Sequence, residues 1–455
     1  YVDYRVGKLQ IRNHVSYDLA KSSDSPYGSF SDYTKQQPYY AIHDKDGKLK
    51  QTLATGIPNP LYEATLGNFS RGESTNLTNN LSFYWFISDH LQLQSQFSVT
   101  KSDTEDNNFT DPLSTKYSSQ DNPFTRGDLS VSSTDNFSWN VNGFLAYNNS
   151  IGKNYLNLSL GINAQENQTS SLSSQYRGFP SAALHTIGHA KEIVSKPSGA
   201  DNKTRLMGIF ISGNYSWDNI ILGDVSIRFD GSSEFGSDSQ WGSFWSVGGG
   251  INVHNLKLVK ALSWLNQFKI RGTYGATGKV NYPPYAARDT YEVLFDDWYS
   301  TGVGATLQGI GNEKLVWEKT NTTNIGFDLS FFQSKYSLTL SWYNRQTVDM
   351  ITDVTIPSSA GFTSYKDNMG ETRNRGYEIS LSATILNTKD FGVNAFINFA
   401  RNEGRLMKIS ESLKAYNERV DDYLTLQHTA YANSAEKSEP FLKYEEGGSL
   451  TAIYG

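Results

Sequence analysis

The feature that most constrains the fold is an alternation of apolar and polar side chains, clearest at residues 91–100, which read LQLQSQFSVT. Because successive side chains of a β-strand point to opposite faces, Leu91, Leu93 and Phe97 share one face and the glutamines share the other. The pattern recurs in the segments 77–87, 137–147, 156–162, 207–217, 325–331, 336–342, 377–385 and 391–399. One face suited to lipid and one suited to a wet lumen indicate an all-β fold, a transmembrane antiparallel β-barrel.

The composition agrees with strands that cross a membrane. Hydrophobic residues make up only 37% of the chain and charged residues only 19%, while aromatic residues reach 13%. No apolar run approaches the roughly 18 residues of a spanning helix, so a crossing must be made by strands. The chain has no cysteine, which excludes disulfides and thiolate-bound metals, and its net charge of -6 argues against a nucleic-acid partner.

Connections of two lengths separate the alternating segments. Short links occur at 88–90, 150–154, 218–219, 333–335 and 388–390, and long polar stretches occupy 21–72, 102–133, 170–203, 279–316 and 351–372. Outer-membrane barrels have short periplasmic turns and long extracellular loops, so we predict that the long stretches are extracellular loops. The alternation predicts about thirteen strands, an incomplete set, because an open sheet edge cannot lie in lipid.

Aromatic side chains cluster beside the short links. They are Trp85, Tyr147, Tyr155, Trp217, Phe331, Phe332 and Tyr336. Aromatic residues are good strand formers, but their position next to the turns favours a girdle at the periplasmic interface.

Several motifs occur in a fixed order along the chain. They read RFDGSSEFG at 228–236, QWGSFWSVGGG at 240–250, FKIRGTYGATG at 268–278, LVWEKT at 315–320, NIGFD at 324–328, NMGETRNRGYE at 368–378 and EGGSLTAIYG at 446–455. As a series, from about residue 59 to the end, they resemble the barrel of SusC/RagA-type TonB-linked transporters of Bacteroidetes outer membranes.

The resemblance implies that residues 1–455 are part of one TonB-dependent-receptor-like β-barrel domain, with no plug domain among them. It implies a place in the outer membrane of a Gram-negative, Bacteroidetes-like cell, in contact with outer-membrane lipid. A SusD-like lipoprotein lid would cap the extracellular mouth, and the TonB complex would act through a plug. The implied function is import of oligosaccharides, with peptides as the second substrate class and no cofactor.

Two other classes of function follow from the same residues. A surface-exposed glycan- or peptide-binding or adhesion β-protein without transport would carry charged residues on both strand faces, and the apolar stripes argue against it. A barrel enzyme would need a convergent Ser/His or Asp/His site. The seven histidines are scattered and neither a His-Glu-x-x-His nor a Gly-x-Ser-x-Gly motif occurs, so we predict no enzyme and no metal site.

For the motifs themselves we favour an architectural role over contact with substrate. The segment 230–236 has Asp-Gly and Phe-Gly steps that suit a turn between strands. Arg373 and Arg375 are expected to face the lumen or the loop rim and to pair with Glu371 and Glu378.

The stretch most suited to a ligand is the loop 279–306, which is rich in aromatic residues and carboxylates. Flat aromatic rings stack on sugars and peptides, and carboxylates accept hydrogen bonds from hydroxyl groups. The candidate substrate-binding residues are Tyr282, Tyr285, Asp296, Asp297, Trp298 and Tyr299. The alternative is that these residues pack the loop or contact a lid protein.

Overall fold

The structure is a computed structural model that describes residues 1–54, 57–280, 284–285, 287–355, 361–409, 414, 417–418, 441–442, 445–449 and 453–454. Fourteen strands in this part of the chain follow one another across a single sheet. They are β1 (Val2–Val6), β2 (Leu9–Ser23), β5 (Phe69–Phe86), β6 (Leu91–Thr110), β7 (Asp128–Ile151), β8 (Asn154–Arg177), β10 (Ser198–Trp217), β11 (Ile221–Ser232), β12 (Trp241–Asn252), β13 (Leu265–Lys279), β16 (Glu318–Phe331), β17 (Tyr336–Thr355), β18 (Ser364–Asn387) and β19 (Gly392–Lys408).

The remaining elements are short and lie in the connections. The strands are β3 (Thr52–Ala54), β4 (Ile57–Pro58), β9 (Glu192–Ile193), β14 (Thr290–Tyr299), β15 (Gly302–Gly309), β20 (Phe441–Leu442) and β21 (Ile453–Tyr454). The helices are α1 (Phe30–Thr34) and α2 (Pro60–Glu63), with 3-10 turns at Thr115–Tyr117, Pro123–Thr125, Ile187–His189 and Val253–Asn255. Among the described residues, no helix is long and apolar enough to cross a membrane.

Every strand of the large sheet pairs antiparallel with the sheet strand that precedes it in the chain, and β9 adds to the end of β8. The expectation of an all-β antiparallel fold is therefore confirmed, and the estimate of about thirteen strands is one short of the fourteen found. The hairpin β14–β15 stands outside the sheet because it pairs only with itself.

The predicted apolar stripes form one continuous band across the sheet. Directly paired residues share a face, and the pairing joins Trp85, Leu93, Leu145, Leu160, Ile211, Ile227 and Trp245 in one row across seven strands. We call this side the apolar face and the opposite side the polar face. Tyr155 is an exception to the predicted girdle, because it precedes Leu156 by one position and therefore lies on the polar face.

The strands are longer than the alternation predicts, and the predicted loops are correspondingly too wide. The strand β7 has 24 residues, but its apolar stripe covers only 137–147, next to the short link to β8. Its other half, DLSVSSTDN at 128–136, is mostly polar, with Leu129 and Val131 as its only apolar residues, yet it pairs fully with β6 and β8. A strand needs only about 9–11 residues to cross a bilayer, so the rest extends into water, where nothing selects for alternation.

The short links form tight turns at one edge of the sheet. Asp218 and Asn219 have φ of 50° and 54°, the left-handed backbone conformation found at both central residues of a type I′ turn, and Gly152 has φ of 59° in the link between β7 and β8. The longest connections lie at the opposite edge, although the twelve residues 253–264 between β12 and β13 lie at the edge of the short turns. The buried apolar clusters of the described residues lie at that long-loop edge too, and one of them contains Phe109, Leu129 and Phe179.

Candidate functional site

A second buried cluster at the long-loop edge joins motifs that are far apart in the sequence. Trp317 is 5% exposed, and its ring lies 4.7 Å from Phe235 and 5.4 Å from Phe244, measured between ring centroids. Leu315 and Ala287 complete the cluster and are fully or almost fully buried. The motifs at 228–236, 240–250 and 315–320 thus contribute to one small core.

Hydrogen bonds attach a fourth motif to this core. The side chain of Asn368 accepts a hydrogen bond from the backbone N–H of Val316 at 2.9 Å and donates to the backbone oxygen of Val316 at 2.9 Å. The carboxylate of Glu318, which is buried, accepts from the backbone N–H of Ile351 at 2.8 Å. These contacts support the architectural interpretation of the motifs, because their side chains are occupied in holding connections together.

The polar face carries charged side chains that are paired within the sheet. Arg228 donates to Asp230 at 2.6 Å and to Asn163 at 2.5 Å. Gly208 lies beneath this pair, and a Cβ at that position would overlap both side chains, so glycine makes the arrangement possible. A similar network on β13 joins Arg271 to Asp328 at 3.1 Å. Both arginines are thus paired with acids on the polar face.

Of the two places predicted for Arg373 and Arg375, the lumen is wrong, and so are the carboxylate partners predicted for Arg375. Both residues are in register with Tyr377 and therefore lie on the apolar face, not toward a lumen. Arg375 pairs with Glu403 of the neighbouring strand at 3.3 Å, whereas Glu378 lies on the polar face. The sequence motif did not indicate this partner, because Glu403 is 28 residues away.

The candidate ligand-binding loop is in large part a β-hairpin. Asp296, Trp298 and Tyr299 lie on β14, and Trp298 and Tyr299 are 71% and 67% exposed. The indole Nε1 of Trp298 donates to the backbone oxygen of Phe295 at 2.8 Å, which orients the ring. We call β14 and β15 together the aromatic hairpin.

The hairpin is anchored at its base and along one side. The hydroxyl oxygen of Tyr285 accepts a hydrogen bond from the backbone N–H of Lys203 on β10 at 3.2 Å. The ammonium of Lys196 lies 3.8 Å from the ring centroid of Phe295. Lys196 was not among the candidate residues, and no local pattern identifies it, because it comes from the preceding long connection.

The other predicted site residues are only partly accounted for. Tyr282 lies outside the described residues, and of Asp297 only the backbone, within β14, is described. The structure therefore brings Asp296, Trp298 and Tyr299 onto one strand, with Tyr285 near its base, and their role as substrate contacts stays a prediction.

Ionisable groups near the packed core add one pH-sensitive feature. Glu234 lies in the connection between β11 and β12, where burial raises the pKa of its carboxyl group and a hydrogen bond from the Ser232 hydroxyl partly offsets the rise. In the described part of the chain, no group of three or more His, Cys, Asp or Glu side chains is placed to hold a metal ion.

Comparisons with known proteins assign the family. The family model described as "TonB dependent receptor-like, beta-barrel" matches residues 10–436, and the chain belongs to this family. It is 25% identical over 419 residues to TonB-dependent receptor P3 of Formosa agariphila, which covers 90% of this chain and 41% of that protein. It is 29% identical over 285 residues to TonB-dependent receptor SusC of Bacteroides thetaiotaomicron, covering 60% of this chain and 27% of SusC.

Among solved structures, the chain is similar to one described as the RagAB peptide transporter, with a TM-score of 0.78 and 25% identity over 90% of this chain and 46% of that one. The chain thus spans less than half the length of these relatives. The predicted resemblance to SusC/RagA-type receptors is confirmed, as is the outer-membrane location. The apolar face of the sheet is accordingly the face toward lipid.

Proposed function

We propose that this chain is the barrel part of a TonB-dependent importer of oligosaccharides or peptides that works with a SusD-like surface lipoprotein. The observation that carries the proposal is the combination of a lipid-compatible apolar face with a polar face that carries ion pairs and uncharged polar side chains. A polar lumen of this kind suits neutral, hydroxyl- or amide-rich solutes. Among relatives, SusC is named a TonB-dependent receptor and RagAB a peptide transporter.

The aromatic hairpin is the proposed first contact for substrate. Its base is held by Tyr285 and by the buried cluster at Ala287, while Trp298 and Tyr299 present their rings to solvent. Exposed rings on an anchored support lose little conformational entropy when they stack on a sugar or a peptide. We include Tyr282, Asp296 and Asp297 as the polar and aromatic groups that complete the contact.

The mechanism involves no covalent step. Substrate is bound between the lid lipoprotein and the hairpin, the TonB complex pulls on the plug, and the substrate passes along the polar face. The packed core of Phe235, Leu315 and Trp317 supports the loops during this change, because it ties the connections to the strands.

The test is an uptake and binding experiment with the full-length protein in its native cell. Changing Trp298 and Tyr299 to alanine is expected to weaken binding by about 0.5–1.5 kcal/mol per ring and to slow growth on the cognate glycan or peptide only. The matched control is Phe30→Ala, which removes another exposed ring, 82% exposed, from a different long connection. The control should grow normally.

The outcomes separate the proposed roles. If the hairpin variants bind ligand normally but no longer co-purify with the lid lipoprotein, the hairpin is a partner surface. If deletion of the whole protein abolishes surface binding of the ligand but leaves its uptake unchanged, the protein is an adhesin and the transport proposal is wrong.

A further inference from the structure

The apolar face carries an excess of positive charge at one place, on β18 and β19. Arg373 and Arg375 on β18, with Arg401 and Arg405 on β19, lie on this face within a few positions of one another. We call these four residues the arginine patch. Arg373 lies directly opposite Arg405, and Arg401 lies opposite Tyr377.

Only one carboxylate balances the patch among the residues that the structure describes. Glu403 pairs with Arg375 at 3.3 Å and with Arg405 at 2.5 Å. In the same part of the chain, Arg373 and Arg401 have no carboxylate within ion-pair distance. Four guanidiniums against one carboxylate leave a formal charge of +3.

The neighbouring charges do not remove this excess. Lys408 lies opposite Glu371, so that these two charges cancel. The carboxylate of Glu371 also accepts a hydrogen bond from Gln346 at 2.6 Å.

Elsewhere on the apolar face, several cations at the same edge of the band are matched by acids. Lys101 on β6 has both Asp103, at 3.2 Å, and Asp135, at 2.7 Å, as partners. Lys21 on β2 pairs with Glu73 at 2.9 Å. Lys203 and Arg205 on β10 share the carboxylate of Glu166, at 3.2 Å and 2.5 Å, so the imbalance there is smaller than the four arginines to one carboxylate on β18 and β19.

The depth of the patch is defined by the aromatic residues next to it. Tyr377 stacks on Phe399 with centroids 5.9 Å apart, and Trp342 is the register partner of Tyr377 on β17. Aromatic belts lie at the headgroup level of a bilayer. The patch begins level with this belt, at Arg401 opposite Tyr377, and extends toward the long connections, and it therefore lies where the headgroups of the outer leaflet are.

Two opposed arginines repel each other, which destabilises a cross-strand pair unless an anion lies between them. Guanidinium groups bind phosphate oxygens bidentately, and cationic side chains near a membrane surface attract anionic headgroups. We propose that the arginine patch binds the phosphate groups of an outer-leaflet lipid, whose acyl chains cover the apolar residues below Tyr377 and Phe399.

The test uses the full-length protein with Arg373 and Arg401 both changed to glutamine. These two are chosen because the change breaks no ion pair of the described residues. Labelled lipid A, which carries two phosphates, is titrated into protein in neutral detergent, and the double variant is expected to bind it about 30-fold more weakly than the wild type. The matched control is Arg5→Gln with Arg345→Gln, two exposed arginines of the polar face, and it should bind as the wild type does.

Two further measurements distinguish lipid binding from ion pairing within the protein and from binding of a free anion. In neutral detergent without lipid A, the melting temperature of the Arg373→Gln, Arg401→Gln variant should equal or exceed that of the wild type, because a like-charge contact is relieved. A marked loss of stability there would assign the arginines to pairing within the protein and overturn the proposal.

Inorganic phosphate at the same phosphate concentration should not compete with lipid A for the wild-type protein. If it displaces lipid A fully, the site takes a free anion and not a lipid.

Discussion

Arginine substitutions along β8 measure whether the apolar face meets lipid. The apolar positions run from Leu156 to Ala164 and end before Glu166, which pairs with Arg205 at 2.5 Å on the same face. At a rise of about 3.4 Å per residue and a tilt of about 35–45°, this stretch covers about 19–22 Å of membrane depth. Leu160 lies at its centre and is 51% exposed, so its side chain is presented to the surroundings and not to a packed interior.

The depth fixes the expected cost. Leu160→Arg should destabilise the protein by about 2–4 kcal/mol, the cost of arginine near the bilayer midplane, whereas Leu156→Arg, close to the short turn, should cost about 0–1 kcal/mol. Ser159→Arg adds the same side chain to the polar face, between the small residues Ala146 and Ser212, and should cost less than about 1 kcal/mol.

The assay is unfolding of the full-length protein by guanidinium chloride in phosphatidylcholine vesicles, followed by tryptophan fluorescence and by heat-dependent mobility on gels. The contrast between Leu160 and Ser159, one residue apart, is the decisive result. Equal costs at the two positions would refute the assignment of the faces, and equal costs at Leu160 and Leu156 would refute the depth.

Two further predictions concern the long-loop edge. Trp317→Ala should lower the free energy of unfolding by about 3–5 kcal/mol, because the ring is buried against Phe235 and Phe244, while Trp298→Ala should leave heat stability unchanged. Thermal melting of the folded gel band tests both, and a small loss of stability in Trp317→Ala would contradict the buried cluster. Burial raises the pKa of the Glu234 carboxyl group above the ordinary value of 4.5, so the folded protein favours its protonated form. The wild type should therefore lose stability relative to Glu234→Gln as the pH rises through the raised pKa, with no such loss below pH 4.5. Parallel profiles of stability against pH for the two proteins would exclude this role.

The fold class and the facing of the strands were accessible from sequence. Alternation in β6 and β8 reports the two environments of each strand directly, because side chains two positions apart share a face whatever the neighbouring strand is. The pairing of two strands joined by a short link was also accessible, since a short link leaves no choice of partner, whereas the pairings across the long connections were not. The ends of the strands could not be predicted from sequence. The polar half of β7 is held by pairing with β6 and β8, and this pairing does not produce an alternating pattern in the sequence of β7.

Contacts between distant segments required the tertiary structure. The sequence showed that the motif at 315–320 was unusual, but only the folded chain shows that Trp317 packs on Phe235, 82 positions earlier. In the same way, the sequence placed Arg375 beside Glu371 and Glu378, while the register of β18 and β19 selects Glu403. Local periodicity determines which face a residue occupies; its partner depends on the register of a neighbouring strand, which is set by the hydrogen bonds of the whole sheet.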